Sequence, residues 1–201
     1  DVCSSDLTCI EILSSLPSVV VGLFGYLIFV VQFEYGFSIL SGALALTVFN
    51  LPQMTRNVED SLKHVHHTQR EAGLALGISR WETVLHVVIP EALPGIVTGI
   101  VLASGRIFGE AAALIYTAGQ SAPALDWSNW NPLSVTSPIS IFRQSETLAV
   151  HIWKVNSEGT IPDGTLVSAG SAAVLLIFIL IFNLAARRIG KVLHKKLTSA
   201  Q

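Results

Sequence analysis

The chain has 201 residues, 51% of them hydrophobic and only 13% charged, and its mean hydropathy is +0.59. That balance excludes an ordinary soluble globular domain, where about a quarter of residues are charged, and marks an integral membrane protein. The formal net charge of −2 selects no partner and gives no reason to expect a nucleic acid.

Residues 1–7, DVCSSDL, resemble the translation of a common sequencing adapter, so residues 1–9 are expected to be a non-native or disordered start and the natural chain to extend further upstream. Cys3 and Cys9 have no ligand-like neighbours and no second pair, which argues against a disulfide framework or a zinc site. No basic n-region with a cleavage site is visible. Four apolar segments follow, at 17–33, 36–54, 92–118 and 166–186, each predicted to cross the bilayer as a helix. The first is short, and Phe33 and Tyr35 at its end accommodate the mismatch. Leu51-Pro52 marks the expected end of the second.

Between the second and third segments, residues 55–90 form a loop too polar to span. Val58, Leu62, Val65, Ala72 and Leu76 fall near one face of a predicted amphipathic helix, with Gly77 as its stop. A second short helix, from Arg80 to Val88, then meets Pro90. Such a helix-turn-helix lies at the bilayer surface and inserts its face into a partner, or else it is a solvated connector. Arg56, Lys63, Arg70 and Arg80 here, and Arg187, Arg188, Lys191, Lys195 and Lys196 in the tail, place both on the cytoplasmic side. Residues 119–165 carry only Arg143 and Lys154 against Asp126, Glu146, Glu158 and Asp163, as expected outside. His64, His66 and His67 cannot all point inward from one surface helix, and no metal is expected there. His151 and His194 read as isolated.

The third segment carries the chemistry. Arg106 and Glu110 stand one helical turn apart on a single expected helix, hence on one face. Ionisable residues at membrane depth cost several kcal/mol unless they pair or line a wet cavity. A guanidinium suits an oxyanion such as phosphate, with Glu110 positioning Arg106 and competing for it; alternatively the two form an ion pair that packs subunits together. Gly95–Gly99 and Gly105–Gly109 are small-xxx-small spacings that allow close helix approach, or glycines merely tolerated in the membrane. Pro90 and Pro94 are expected in the helix's first turn, fixing its entry angle. Beyond it, residues 120–164 read as irregular, with Trp127, Trp130 and Trp153 at the membrane interface or on a face that meets an external protein. Ser104 and His151 lack the spacing of a hydrolase. No Gly-x4-Gly-Lys-Ser/Thr is present, so no catalytic residue and no nucleotide site is assigned to this chain.

Glu71-Ala72-Gly73, three residues, Gly77, nine residues, then Val87-x-Ile89-Pro90 closely resembles the EAA signature of permease subunits in bacterial ABC importers, departing at Gly73, where alanine is usual, and at Val87 and Ile89. The runs LPSVVVGLFGYLIFV at 16–30 and GRIFGEAAALIYTAG at 105–119, the Trp130–Leu133 motif Trp-Asn-Pro-Leu and the basic tail narrow the resemblance, over 10–188, to the PstA family of phosphate-specific importers.

That resemblance implies an all-α, MetI-like permease domain over 10–188, with about four of six expected transmembrane helices and a cytoplasmic coupling helix, followed by a basic tail at 189–201. It implies ATPase coupling through Glu71, Ala72, Gly73, Gly77 and Pro90, a substrate path at Arg106 and Glu110, and helix packing at Gly95, Gly99, Gly105 and Gly109. The implied partners are a PstC-like second permease, a PstB-like ATPase dimer that binds the ATP and magnesium, and a PstS-like external phosphate-binding protein, all at a bacterial inner membrane. An importer of another oxyanion or small solute, or a scaffold without transport, are the rival readings.

Overall fold

The computed structural model describes residues 15–159 and 162–198, the last six of them by backbone alone. Residues 1–9 with both cysteines, and the side chains of His194, Lys195 and Lys196, lie outside the described residues. All regular structure among the described residues is helical. Helix α1 (Ser18–Gly25) runs on through a π-helical stretch, Tyr26–Gln32. Then come α2 (Ile39–Lys63), α3 (His67–Ala75), and α4 (Arg80–Thr83), which passes through a π-turn (Val84–Val88) into α5 (Ile89–Phe108). Three helices complete the chain: α6 (Ala112–Thr117), α7 (Leu148–Glu158) and α8 (Gly164–Thr198). Arg80–Phe108 and Gly164–Val192 are each long and apolar enough to cross a membrane. Of the other two expected spans, 17–33 yields the shorter apolar helix Ser18–Gln32, and 36–54 falls in a helix that continues into polar sequence.

Two compact units form, one from residues 1–52 and 106–178, the other from 53–105 and 179–201. In the first, small residues let helices touch backbone to backbone. A Cβ added at Gly22 would lie 2.8 Å from the Cα of Ala113, and one at Gly25 would lie 2.8 Å from both Ala45 Cβ and Thr117 Cγ2. Gly42 is equally close to Ala118. Around these contacts Leu114, Ala118 and Val150 form a core with Leu46, Ala111 and Ile115. The first N–H groups of α2 donate to chain rather than to water: Ile39 N to Arg143 O and Leu40 N to Ile141 O, both 2.9 Å, while Ser38 Oγ accepts from Ser41 N at 3.2 Å. In the second unit Gly95 lies against Ser61, Gly99 against Asn57, and Gly190 against Val97. Val65, Val88 and Ala92 pack with Leu62 and Ile96.

Four expectations about elements need correction. Helix α2 does not end at Leu51-Pro52 but runs through a buried Pro52 to Lys63. One missing N–H costs about 3 kcal/mol, and the close seats of Asn57 and Ser61 on Gly99 and Gly95 hold the far half helical. The Val58–Leu76 helix is accordingly split. Its first residues belong to α2, His64 turns its Nδ1 to the Asp60 carbonyl at 2.7 Å, and Val65 swings into the core with Val88. The helix expected over 92–118 stops at Phe108, where Gly109 N and Glu110 N bond back three residues, to Arg106 O and Ile107 O at 3.1 Å. Finally, residues 120–164 hold α7, capped by Thr147 Oγ1 on Val150 N and closed at Gly159 with φ +58°. His151 within it is not isolated, since its Nδ1 meets Glu146 Oε1 at 2.9 Å.

Gly22→Val is expected to lower stability by about 1–3 kcal/mol through overpacking. The readout is the thermal midpoint in detergent, and an unchanged midpoint would refute the close approach of α1 and α6.

Candidate functional site

The 64–88 loop is built from its ends. His66 opens α3, whose last turn closes at Gly77, φ +77°, with Leu76 N on Ala72 O, Gly77 N on Leu74 O and Ile78 N on Gly73 O. Ser79 opens α4 with a capping box: its Oγ accepts from Glu82 N, and Glu82 Oε2 accepts from Ser79 N, each at 3.2 Å. The two short helices meet at one point. Gly73 is buried, a Cβ there would fall 2.8 Å from Thr83 Cγ2, and Thr83 is itself buried with its hydroxyl on Ser79 O at 3.0 Å. The glycine that departs from the alanine of the EAA pattern is therefore fitted to Thr83.

Glu71, Ala72 and Gly77 are exposed on this loop. So are Leu76 and Trp81, at 80% and 70%, with Leu74 and Leu85 beside them in the sequence. Of the apolar face expected from periodicity, Leu62 and Val65 turn inward and Leu76 stays outside. Leu74, Trp81 and Leu85 were missed, because one phase was carried from Val58 to Leu76 across the break between Lys63 and His67, and no face was read for the second helix.

Pro90 is not at a helix start. It is the second residue of α5, directly after the π-turn Val84–Val88, inside a helical run unbroken from Arg80 to Phe108. A proline has no N–H for the carbonyl four residues back and its ring crowds that carbonyl, so a wider turn just upstream relieves both faults.

The structure does not put Arg106 and Glu110 on one helical face. Arg106 is in the last turn of α5, its guanidinium 4.6 Å from the centroid of the buried Phe49 ring. Glu110 lies beyond Gly109, outside the helix, and its Oε1 accepts from Ala113 N at 3.4 Å at the start of α6. Gly109 likewise lies past the helix end and a Cβ there would meet only the Arg106 carbonyl, while one at Gly105 would make ordinary contact with Asn183. The Gly105–Gly109 pair thus makes no close helix packing, unlike Gly95 and Gly99. Ser104 gives its hydroxyl to Ile100 O at 2.8 Å, within its own helix.

Within the second unit α2, the residues just after it and α5 line an open cavity of about 480 Å³ whose polar lining includes Asn57, Asp60, His64, His66, Glu91 and Thr98. Its stripe on α5, Glu91, Gly95, Thr98 and Leu102, advances by three and four residues at a time. Among the described residues no group of three or more His, Cys, Asp or Glu is placed to hold a metal ion.

Residues 7–199 match the family described as "Binding-protein-dependent transport system inner membrane component". The chain belongs to that family. It is 58% identical over 192 residues to "Probable ABC transporter permease protein YqgI" of Bacillus subtilis, covering 96% of this chain and 65% of that protein. It is 35% identical over 181 residues to "Phosphate transport system permease protein PstA 2" of Mycobacterium tuberculosis, covering 89% of this chain and 56% of the relative. The PstA protein of Xylella fastidiosa is 36% identical over 177 residues, with 88% and 57% covered. The chain thus spans less than two thirds of the length of these curated relatives. Among solved structures, a chain of the MetNI methionine ABC transporter in an inward-facing form superposes with a TM-score of 0.68 at 19% identity, over 96% of this chain and 76% of that one. The all-helical, MetI-like fold expected from the sequence is therefore present, and the likeness to PstA permeases is real at the level of whole-chain identity.

For this permease-family loop, Gly73→Ala is expected to speed hydrogen exchange across 67–83, since overpacking of about 1–3 kcal/mol exceeds the roughly 1 kcal/mol that alanine returns in helix propensity. The double change Gly73→Ala with Thr83→Ser removes the opposing methyl and is expected to restore protection. Failure of the second change to rescue would separate Gly73 from Thr83.

Proposed function

We propose that the chain is the greater part of a transmembrane permease of an ATP-driven phosphate importer in a bacterial inner membrane. The observation that carries this reading is a single helical run, Arg80–Phe108, with the exposed Trp81 at one end and Arg106 at the other. At 1.5 Å per residue, 29 residues make a rod of about 43 Å. A partner that grips Leu76 and Trp81 pulls on this helix, whose irregular points are the π-turn at Val84–Val88 and Pro94 inside α5. The partner is an ATPase dimer of the PstB kind, which binds the ATP and magnesium. A second permease of the PstC kind completes the pore and a PstS-like external protein delivers phosphate. The 64–88 loop and the tail face the cytoplasm.

In this reading Glu71, Ala72, Gly73 and Gly77 shape the docked loop, and Pro90 together with the π-turn sets the joint. Arg106 meets the anion. Its guanidinium is oriented by the Phe49 face without loss of charge, and a planar, permanently charged fork suits phosphate oxygens. Glu110 is assigned the turn between α5 and α6 through Ala113 N, a role that fixes where Arg106 ends. Gly95 and Gly99 keep α5 against α2. The name of the Bacillus relative carries no substrate, so phosphate rests on the PstA relatives and on Arg106. One observation favours a second reading, an importer of a solute other than an anion: the cavity wall carries Asp60 and Glu91 and no lysine or arginine.

The test is ATP-dependent uptake of radiolabelled phosphate by proteoliposomes holding the full-length permease pair and its ATPase. Arg106→Ala is expected to cut uptake at least about tenfold, the loss of one charge-assisted contact of 1.5–3 kcal/mol. Trp81→Asp is expected to uncouple ATP hydrolysis from uptake, and Glu110→Gln, which keeps an acceptor for Ala113 N, to leave assembly intact. No phosphate uptake by the wild type overturns phosphate as the substrate, and normal uptake by Arg106→Ala overturns the role given to Arg106.

A further inference from the structure

Between α6 and α7 the chain is folded inside out. Ser134 N bonds to Asn131 O, Ser137 N to Ser134 O and Ser140 N to Ser137 O, at 3.0 to 3.2 Å, so this stretch advances in turns of three residues. The sequence has the same period. Trp127, Trp130, Leu133 and Ile139 share one phase with Thr136 and are exposed, the first three at 69%, 61% and 75%, and Val135 and Ile141 beside that phase are exposed as well. Ser134, Ser137 and Ser140 share the next phase, and Ser137 and Ser140 are 0% and 1% exposed. Their two hydroxyls are buried without a hydrogen-bond partner among the described residues. In water this arrangement is backwards, since it shows indoles and leucine to solvent and hides serine.

The rest of the segment's polarity is consumed internally. Asp126 Oδ1 takes both the N–H and the hydroxyl of Ser128, Asn129 Nδ2 reaches Ser134 Oγ at 2.9 Å, and Asn131 Oδ1 accepts from Leu133 N at 3.1 Å. The Ser128 hydroxyl, and after it the Ser128 N–H, hold the Asp126 carboxyl below the usual carboxylate range, so it stays ionised and bonded at neutral pH. From Trp127 to Phe142 the sequence has no Asp, Glu, Lys, Arg or His. Phe142 then joins a row of rings at the end of α1: Tyr35 at 6.3 Å between centroids, Phe33 beyond it at 5.7 Å, and Phe29 at 6.1 Å from Phe33.

We infer that residues 127–142 are a membrane-interface anchor, seated with Trp127, Trp130, Leu133 and Ile139 in the boundary between lipid headgroups and acyl chains. The occupant is a bilayer and not a soluble partner for two reasons. A protein that docks and leaves would strand this surface in water for much of each cycle, and its footprint would carry a charged rim. The segment has no charge, and it is continuous with the aromatic row that ends an apolar helix, where interfacial belts of Trp and Tyr occur. The anchor has a mechanical use. Ile141 O and Arg143 O hold the first N–H groups of α2, so the depth of the loop in the interface sets the depth of that helix end.

The inference rests on the chain crossing a membrane and not on what it transports. Its test is nitroxide labelling of Leu133→Cys, Ile139→Cys and Ala122→Cys in the full-length permease with its partner subunits in lipid nanodiscs, with Ile177→Cys on α8 as the bilayer control. Accessibility is read with oxygen, which concentrates in lipid, and with a water-soluble nickel chelate. At Leu133 and Ile139 oxygen is expected to exceed the chelate severalfold, with the reverse at Ala122. A chelate preference at Leu133 and Ile139 overturns the anchor, as does exclusion of both reagents, which would mark a protein cover, or protection that appears only when the external binding protein is added. Loss of oxygen preference at Ile177 would instead sink the membrane reading itself.

Discussion

A helix that faces lipid gains little by burying leucine against another helix, because acyl chains solvate leucine as well as a neighbour does. Packing must then come from shape, and in this chain it comes from glycine. Gly22, Gly25 and Gly42 bring α1, α2 and α6 to backbone distance, and Gly95, Gly99 and Gly190 do the same for α2, α5 and α8. The large apolar side chains, Leu176, Ile177, Leu180 and Ile181 among them, are left outside. Every other feature depends on these seats, including the persistence of α2 past Pro52, which brings Asn57 and Ser61 onto α5.

That dependence ties the loop to the start of α5. Val65 and Val88 are joined in one small core with Ala92, so the base of the 64–88 loop and the start of α5 cannot separate without opening it. Gly73 against Thr83 closes the loop's other end. What remains exposed is a short apolar face and a rod behind it. On the reading proposed above, the energetic demand on a docking partner is correspondingly small, since the order of the loop is already supplied by caps and by one glycine contact.

The sequence was most readable where one residue type has one local meaning. Gly77 ended a helix, the Glu71–Pro90 spacing located the loop, and composition placed the chain in a membrane. It was least readable where tertiary contacts override a local rule. Pro52 and Pro90 both looked like boundaries, and both sit inside helices, one held by packing and the other relieved by a π-turn. Arg106 and Glu110 looked like an i, i+4 pair because nothing in a run of apolar residues announces that a helix stops at Phe108; only Gly109 hinted at it. Helix α7 carried its own brackets, Thr147 and Gly159, but these were lost among the serines, prolines and asparagines around them. The three-residue period of 127–142 belongs to neither α-helix nor strand, so a search for those two periods passes over it.

The π-turn at Val84–Val88 has an angular consequence. In an α-helix each residue turns the chain by about 100°, and a π-turn is in effect one residue more than the regular helix needs. It therefore sets the phase between the two ends of the Arg80–Phe108 run, the direction in which Trp81 points relative to Arg106. A single-residue deletion between 84 and 88 would turn one end by about a quarter of a circle against the other, so the Gly73–Thr83 contact and the core of Val65, Val88 and Ala92 could not both keep their present seats.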